Sequence, residues 1–197
     1  MKDIQCILST TQVVTIRPLR LEDVPAIDAM HDRLSKESMY SRYFTAQKPS
    51  LTSILEQAHL SSSRGAGFVA ILQNQPQEIV GLAYYVCSQE DIRVAEPALL
   101  IEDRFQGQGL GKIMMDYLVC EAQAHAVGYF QSYVFPANQR VLRILEHSGL
   151  PMERHYRDGL LEVSQYLGSM ICIQDAAHLE LSGLANELNP TNLFDVG

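Results

Sequence analysis

Residues 101–112 read Ile-Glu-Asp-Arg-Phe-Gln-Gly-Gln-Gly-Leu-Gly-Lys. They follow an apolar run typical of a strand and precede apolar residues at helical spacing, so they are expected to join a strand to a helix. Gly107, Gly109 and Gly111 let the backbone turn tightly and approach a ligand closely. The first N–H groups of the following helix have no partners within the helix, and they attract phosphate. The segment therefore predicts a loop that binds a diphosphate.

Two other glycine motifs are excluded by spacing. A dinucleotide-binding fingerprint requires a third glycine where Lys112 stands. A Walker loop requires glycine where Gln106 stands and Ser or Thr where Ile113 stands. The alternative that remains is an ordinary glycine turn between a strand and a helix.

Strand and helix patterns extend from this loop in both directions. Strands are expected at 13–17, 68–72, 79–86, 93–101, 129–134, 152–157 and 161–167. Helices are expected at 21–30, from Ser35 to Tyr43, from Ser50 or Thr52 to His59, at 109–127 and at 138–148. The order β-α-α-β-β-β-α-β-α-β-β predicts an α/β (α+β) fold. Its central sheet is expected to be mixed but mostly antiparallel, with six to seven strands flanked by helices.

The length and composition predict one domain. A chain of 197 residues, 47% of them hydrophobic, can bury a single core. We expect an N-terminal tail at 1–12, the folded domain at 13–167, and a C-terminal extension or tail at 168–197.

Charge and composition also exclude several function classes. A net charge of −8 disfavours a nucleic-acid surface, which requires clustered Lys and Arg. Residues 1–11 lack the features of a signal peptide, and no apolar run is long enough to span a bilayer. We therefore expect a cytoplasmic protein that binds neither nucleic acid nor membrane. The four cysteines and six histidines show no ligand spacing, so no metal site is expected and the cysteines should be buried thiols.

Two segments resemble the GCN5-related N-acetyltransferases, the GNAT family. Residues 106–111, Gln-Gly-Gln-Gly-Leu-Gly, resemble the family's Arg/Gln-x-x-Gly-x-Gly/Ala signature for the coenzyme A diphosphate. Residues 138–150, from Asn138 to Leu150, resemble its later Asn-x-x-Ala segment, whose Asn contacts the pantetheine or phosphate arm. The resemblance covers 13–167 and implies a GNAT fold with acetyl-CoA as co-substrate. The cofactor-binding residues that it implies are Leu99, Leu100, Ile101, Gln106, Gly107, Gln108, Gly109, Leu110, Gly111, Lys112 and Asn138.

A narrower likeness concerns the acceptor. Residues 15–23 and 34–44, the latter reading Leu-Ser-Lys-Glu-Ser-Met-Tyr-Ser-Arg-Tyr-Phe, resemble segments of Pat-type bacterial and archaeal protein-lysine acetyltransferases. This implies that the acceptor is a lysine of a protein partner. A small-molecule amine and a non-catalytic acetyl-CoA sensor are the alternatives, and monomer and homodimer both stay open.

Acetyl transfer to lysine requires a base. A lysine amine has a pKa of about 10.4, so making it neutral at pH 7 costs roughly 4.6 kcal/mol. The family often has a glutamate at the place of Glu96, which implies that Glu96 is the base. A solvated edge-strand carboxylate and an ion-pair partner for Arg93 are the alternatives. Glu102 and Asp103, closer to the loop, are expected to shape its entry.

Several residues depart from the family pattern or stay ambiguous. Pro97 lacks an N–H and is expected at a bulge or an open edge, where the strand leaves its neighbour to admit pantetheine. Leu145 stands where many relatives have a tyrosine that reprotonates the thiolate. Tyr133 is a possible substitute, although we expect it to be a buried core residue. Residues 42–44 are expected either to line the acceptor mouth or to pack in the core.

Overall fold

The computed structural model describes residues 3–45, 50 and 64–168. Its strands are β1 (Ile4–Ile7), β2 (Val13–Pro18), β3 (Gly65–Leu72), β4 (Gln75–Cys87), β5 (Val94–Ile101), β6 (Tyr129–Val134), β7 (Met152–Arg157) and β8 (Leu160–Tyr166). Its α-helices are α1 (Val24–Asp32), α2 (Lys36–Tyr43), α3 (Leu110–Ala124) and α4 (Gln139–Glu146). Short 3-10 helices span Leu21–Asp23 and Asp103–Phe105.

The strands form one sheet in the order β1-β2-β3-β4-β5-β6-β8-β7. All neighbours are antiparallel except β5 and β6, which run parallel because α3 crosses between them. The predicted α/β class and the mixed, mostly antiparallel sheet are confirmed.

The sheet has one strand more than the six to seven predicted. Residues 4–7, predicted as part of an N-terminal tail, pair with β2 from Ile4 opposite Ile16 to Ile7 opposite Val13. The strand is short, and Ile7 is exposed, so its apolar signal was weak. Leu8 follows it into the core at 2% exposure, which fixes the hairpin to the domain.

The predicted helices on either side of the loop are confirmed with small shifts. Ser35 caps α2 as predicted, because its hydroxyl oxygen accepts from the N–H of Ser38 at 3.1 Å. The hairpin between β7 and β8 turns at Asp158 and Gly159, both at positive φ. The predicted third helix, from Ser50 or Thr52 to His59, lies outside the described residues apart from Ser50. The same holds for the C-terminal extension apart from Gly168.

Both faces of the sheet are buried. Helix α3 covers one face with Leu110, Met114 and Leu118, which are fully buried against β3, β4 and β5. Helix α1 covers the other face with Ile27 and Met30. Complete burial of each large aliphatic side chain contributes about 1.5–3 kcal/mol, so both layers are firmly attached. The cysteines are less uniformly buried than predicted: Cys87 is buried and Cys6 and Cys120 are half-buried, while Cys172 lies outside the described residues.

The two parallel strands stay together only briefly. Strands β5 and β6 pair at Val94 opposite Tyr129 and at Ala95 opposite Phe130, and the ladder ends there. Strand β5 continues to Ile101 and β6 to Val134. The sheet therefore opens at its centre.

Candidate active site

The opening between β5 and β6 forms a cavity of about 780 Å³. Six of the predicted site residues line it: Glu96, Leu99, Leu100, Ile101, Gln106 and Asn138. Residues 107–112 are outside the lining and continue from Gln106 into α3. The structure thus brings the predicted base and five of the eleven predicted cofactor-binding residues to one cavity, and the glycine loop follows directly after Gln106.

The open edge of β5 carries hydrogen-bond donors. The N–H of Glu102 donates to the carbonyl oxygen of Val80 on the neighbouring segment at 2.9 Å. Because hydrogen-bonded and non-hydrogen-bonded pairs alternate in an antiparallel ladder, the N–H groups of Leu99 and Ile101 point away from β4 into the opening. Such donors polarise a carbonyl oxygen on which negative charge develops.

Pro97 lies on the same open edge. Its partner across the ladder is Tyr85, and this pair exchanges no ladder hydrogen bonds. The missing N–H of proline therefore removes no hydrogen bond between β5 and β4. The prediction that Pro97 lies at an open edge, where the strand leaves its neighbour, is confirmed.

The glycines of the loop have different tasks. Gly107 and Gly109 have φ of +73° and +90°, a region that side chains with a Cβ rarely adopt. Gly111 is needed for space, because a Cβ there would lie 2.9 Å from Cδ1 of Ile144 on α4. The loop thus turns on two glycines and lets α4 approach α3 at the third.

The other side chains of the loop face neighbouring parts of the protein. Gln108 donates to the carbonyl oxygen of Arg104 at 2.6 Å and accepts from the hydroxyl of Thr10 at 2.7 Å. Leu110 is fully buried, and the ammonium group of Lys112 pairs with Asp116 at 2.6 Å. A ligand at the loop would therefore meet mainly backbone.

Gln106 connects the loop to both walls of the cavity. Its amide nitrogen donates to Ser38 Oγ at 3.1 Å and to the carbonyl oxygen of Ile101 at 2.9 Å, and its amide oxygen accepts from Arg140. Both amide hydrogens are engaged, so the side chain fixes the loop. Asn138 caps α4, since its side-chain oxygen accepts from the N–H of Val141 at 3.2 Å.

Glu102 and Asp103 shape the entry to the loop, as predicted, and neither lines the cavity. Glu102 is 1% exposed and pairs with Arg33 at 2.9 Å and with Arg104. Asp103 accepts from Ser35 N at 3.0 Å, from Ser35 Oγ at 2.8 Å and from Ser38 Oγ at 2.8 Å. Burial alone would raise the pKa of Asp103, but these hydrogen bonds outweigh it and lower the pKa below its ordinary value.

Glu96 is exposed at the cavity, on the face of β5 that carries Ala98 and Leu100. Arg93 pairs with Asp91 at 2.8 Å, so the alternative in which Glu96 serves as its partner is wrong. The negative charge of Glu96 contributes, after burial, to the raised pKa of Tyr84, which also accepts a hydrogen bond from Arg42.

Tyr133 is 45% exposed and lines the cavity, so the prediction that it lies in the core is wrong. Phe130 and Val134 face the core, and the alternation along β6 turns Tyr133 outward. Partial burial, together with the carboxylates of Glu162 and Glu96, raises the pKa of Tyr133 and keeps its hydroxyl protonated at pH 7. Leu145 is 1% exposed and only fills the core.

Residues 42–44 divide between the two predicted roles. Arg42 and Phe44 line the cavity, whereas Tyr43 bonds through its hydroxyl to the buried His31 at 2.7 Å. Phe44 has a φ of +57° and packs edge-on against Phe135, which stacks on Tyr40 with 5.3 Å between ring centroids. This aromatic cluster joins α2 to the end of β6.

The cavity lining also contains residues that were not predicted from the sequence, among them Tyr40, Phe135, Arg140 and Arg143. The two arginines lie two and five positions after Asn138, within a segment that had been matched to the family. The two aromatic residues carried no signal that separates a cavity wall from a core.

Two general features concern only the part of the chain that the structure describes. No group of three or more His, Cys, Asp or Glu side chains there could hold a metal ion. No helix in those ranges is both long and apolar enough to cross a membrane.

Comparison with known proteins gives concordant results. Residues 14–151 match a family model described as an acetyltransferase (GNAT) domain. An acetyltransferase of Pseudomonas aeruginosa is 30% identical over 135 residues, which are 67% of this chain and 71% of that protein.

Two solved structures share the fold at lower identity. The GNAT domain of S. lividans PAT has a TM-score of 0.73 and 20% identity, over 83% of this chain and 96% of that one. A GNAT superfamily phosphinothricin acetyltransferase from Sinorhizobium meliloti, in complex with acetyl-CoA, has a TM-score of 0.61 and 16% identity. That likeness covers 78% of this chain and 86% of the other.

A first prediction concerns the loop. Gly109→Ala should lower the free energy of unfolding by about 1–2 kcal/mol, because alanine resists positive φ, and should weaken binding of coenzyme A. Gly149→Ala is the matched control: Gly149 has a φ of +70°, open space around it, and no place in the cavity lining. It should cost similar stability and leave the affinity unchanged. Urea denaturation and calorimetric titration measure both effects, and equal affinity losses in the two variants would contradict the prediction.

A second prediction concerns Asp103. Asp103→Asn should lower the free energy of unfolding by about 1–2 kcal/mol at pH 7, because the amide has one acceptor oxygen instead of two. The pKa of Asp103 is lowered by folding, so its contribution is present above the unfolded pKa and disappears as pH falls through the folded pKa. The difference from wild type should therefore shrink below about pH 4.

Urea denaturation between pH 3 and pH 7 checks this second prediction. Asp158→Asn, at an exposed turn, is the control and should change little at any pH. A difference between wild type and Asp103→Asn that stays constant down to pH 3 would refute the titration argument.

Proposed function

Since the chain belongs to the GNAT family of acetyltransferases and uses acetyl-CoA as its co-substrate, we propose that it acetylates the side-chain amine of a protein lysine. The observation that carries the proposal is the cavity lined by Gln106, which directly precedes the glycine loop, by the open edge of β5 and by the carboxylate of Glu96. In such a cavity a thioester and an acceptor amine would meet next to a base.

The co-substrate would lie along the cavity from the loop to Glu96. Backbone N–H groups at the start of α3 would bind the diphosphate. The pantetheine arm would then replace the missing strand partner of β5 and accept from the N–H groups of Leu99 and Ile101. This arrangement would bring the thioester between β5 and β6, near Glu96 and Tyr133.

The reaction needs no covalent intermediate on the protein. Glu96 takes a proton from the lysine ammonium group, directly or through a water molecule, and the neutral nitrogen attacks the thioester carbonyl carbon. The C–N bond forms while N–H groups of β5 stabilise the charge on the carbonyl oxygen. The C–S bond then breaks, the nitrogen loses its second proton to water as the neutral amide forms, and coenzyme A leaves as a thiolate, which takes a proton.

We propose Tyr133 as the source of that proton, since Leu145 offers none. Tyr133 lies at the same cavity as Glu96, and its phenol, which is protonated at pH 7, can donate a proton. Water is the alternative donor, because a thiolate is a stable enough leaving group to be protonated from solvent.

The acceptor class rests on helix α2. This helix comes from the 34–44 segment that resembles protein-lysine acetyltransferases, and six residues of it or next to it line the cavity: Glu37, Ser38, Tyr40, Ser41, Arg42 and Phe44. The segment that suggests lysine therefore forms a wall of the site. We propose that the partner is a cytoplasmic protein with an accessible lysine.

A small-molecule amine is the second candidate acceptor. It is favoured by the shared fold of the phosphinothricin acetyltransferase and by Glu37 and Glu96, carboxylates that would attract any cationic amine. The third candidate, a domain that binds acetyl-CoA without turnover, is suggested by the absence of the usual tyrosine at Leu145.

A third prediction tests the proposed reaction. Labelled acetyl-CoA with candidate proteins should label lysines, and Glu96→Gln should lower kcat/KM by about 10²–10⁴-fold because the base is lost. Binding of coenzyme A should stay unchanged. Glu90→Gln, an exposed carboxamide substitution outside the cavity, is the control and should retain full activity.

An amine panel with detection of released thiol completes that experiment. Label on small amines alone would shift the proposal to the second candidate. Tight binding of acetyl-CoA with no turnover on any acceptor would favour the sensor, and full activity of Glu96→Gln would remove Glu96 as the base.

A fourth prediction concerns the acid. Tyr133→Phe should lower kcat by about tenfold or more when chemistry limits the rate, and leave KM for acetyl-CoA unchanged. Tyr129→Phe is a matched control, since Tyr129 is on the same strand with 46% exposure but outside the cavity. Stopped-flow measurement of thiolate release should show the loss in Tyr133→Phe only. Equal rates in both variants would assign the proton to water.

A further inference from the structure

Helix α4 contributes two arginines to the cavity, Arg140 and Arg143. Most described arginines lie within ion-pair distance of a carboxylate: Arg17, Arg20, Arg33, Arg93, Arg104, Arg154 and Arg157. The hydrogen bonds of Arg140 and Arg143 go instead to neutral oxygens, the side chain of Gln106 and the carbonyl of Gln139. Their positive charge is therefore not neutralised by a carboxylate among these contacts.

Arg140 is held beside the glycine loop. One terminal nitrogen of its guanidinium donates to the amide oxygen of Gln106, the residue directly before Gly107. Gln106 is itself fixed by its bonds to Ser38 and Ile101. The guanidinium has five N–H groups, so most of its donors stay available to a ligand at the loop.

Arg143 lies three residues further along the helix, on the same face as Arg140. Its Nε donates to the carbonyl oxygen of Gln139, one turn back towards the start of α4, at 3.1 Å. Both side chains line the cavity, Arg140 beside the loop and Arg143 further along the helix. The two arginines thus give the face of α4 that lines the cavity a pair of positive charges.

The rest of the cavity lining has no excess of positive charge. Its remaining charged lining residues are Glu37, Glu96 and Arg42, and Arg42 donates to Tyr84 on the α2 side. The whole chain has a net charge of −8, which repels an anionic nucleotide. A guanidinium binds phosphate oxygens through two parallel hydrogen bonds. The two arginines therefore supply the full positive charge that the N–H groups of the loop backbone do not carry.

We propose that Arg140, assisted by Arg143, binds the diphosphate of acetyl-CoA, and that Gln106 is the positioning residue that aims Arg140 at it. The inference rests on the proposed placement of the co-substrate along the cavity. It assigns to α4 a role in co-substrate affinity, separate from the chemistry at Glu96.

The experiment compares three probes with wild type, Arg140→Gln and Arg143→Gln. Calorimetry gives the Kd of coenzyme A and of 3′-dephospho-coenzyme A, and turnover is measured with S-acetylpantetheine, which has neither the diphosphate nor the nucleotide. Arg140→Gln should weaken both nucleotides by about tenfold to hundredfold, because charge-assisted hydrogen bonds are lost. Arg143→Gln should show a smaller loss. Turnover of S-acetylpantetheine should not change in either variant.

Arg93→Gln is the matched control, because Arg93 is an exposed arginine outside the cavity, and it should bind and react like wild type. Arg140→Lys should recover part of the affinity, since the charge returns without the planar fork. Gln106→Ala should weaken both nucleotides less than Arg140→Gln does.

The remaining outcomes overturn the proposal in distinguishable ways. A loss confined to coenzyme A, with 3′-dephospho-coenzyme A unaffected, would assign Arg140 to the 3′-phosphate instead. An equal loss with S-acetylpantetheine would show that the arginine only supports the fold. If the Kd values of Arg140→Gln equal those of wild type, the inference about Arg140 is wrong, but the proposed function still holds as long as wild type binds coenzyme A and turns over. If wild type binds no coenzyme A, both the inference and the proposed function are wrong.

Discussion

Strands β5 and β6 pair at only two positions, and the open edge that results is the constraint on which the site depends. Backbone N–H groups away from water must find a partner, because an unpaired buried donor costs free energy comparable to a lost hydrogen bond. The N–H groups of Leu99 and Ile101 meet that need only through water or through an extended ligand in the opening. The fold therefore has, at its centre, an unfilled strand position, which is where the proposed function puts the pantetheine arm, and Pro97 lies where its missing donor removes no ladder hydrogen bond.

Two strands that separate in the middle of a sheet must be kept apart by contacts from the surrounding segments. Here the side chain of Gln106 joins the loop to α2 through Ser38 and to α4 through Arg140. Asp103 ties the same loop to the start of α2. The hairpin of β1 and β2 adds a contact from Thr10 to Gln108. The N-terminal hairpin, whose first strand was predicted as part of a tail, thus supports the loop. The loop geometry therefore depends on segments that are far apart in the chain.

The sequence predicted features that depend on local chemistry. The tight turn at Gly107 and Gly109, the cap at Ser35 and the bounds of β6 and β7 follow from residue type and short-range periodicity. Features that depend on partners far away in the sequence were not predicted. The strand pattern around Tyr133, between Ser132 and Val134, did not indicate that its side chain would face a cavity. The partners that engage the side chain of Gln106 across the cavity lie 68 and 34 positions away. The two-residue alternation of apolar and polar side chains predicts which face of a strand is buried. It does not predict which strand edge will lack a hydrogen-bonded neighbour.

The two ends of the cavity differ in chemistry, and α2 connects them. At one end Ser38 contacts Gln106 before the loop, while Arg42, further along the helix, lines the same cavity as Glu96 and Tyr133 and bonds to Tyr84. Arg42 lies four positions after Ser38 in the helix, a rise of about 6 Å at 1.5 Å per residue. In the proposed placement of the co-substrate, a helix that contacts both ends would fix their spacing, so an acetyl-CoA bound by its phosphates would have its thioester positioned before an acceptor arrives. Positioning at the loop would then contribute to the rate, because the thioester would already lie near Glu96 when the acceptor binds.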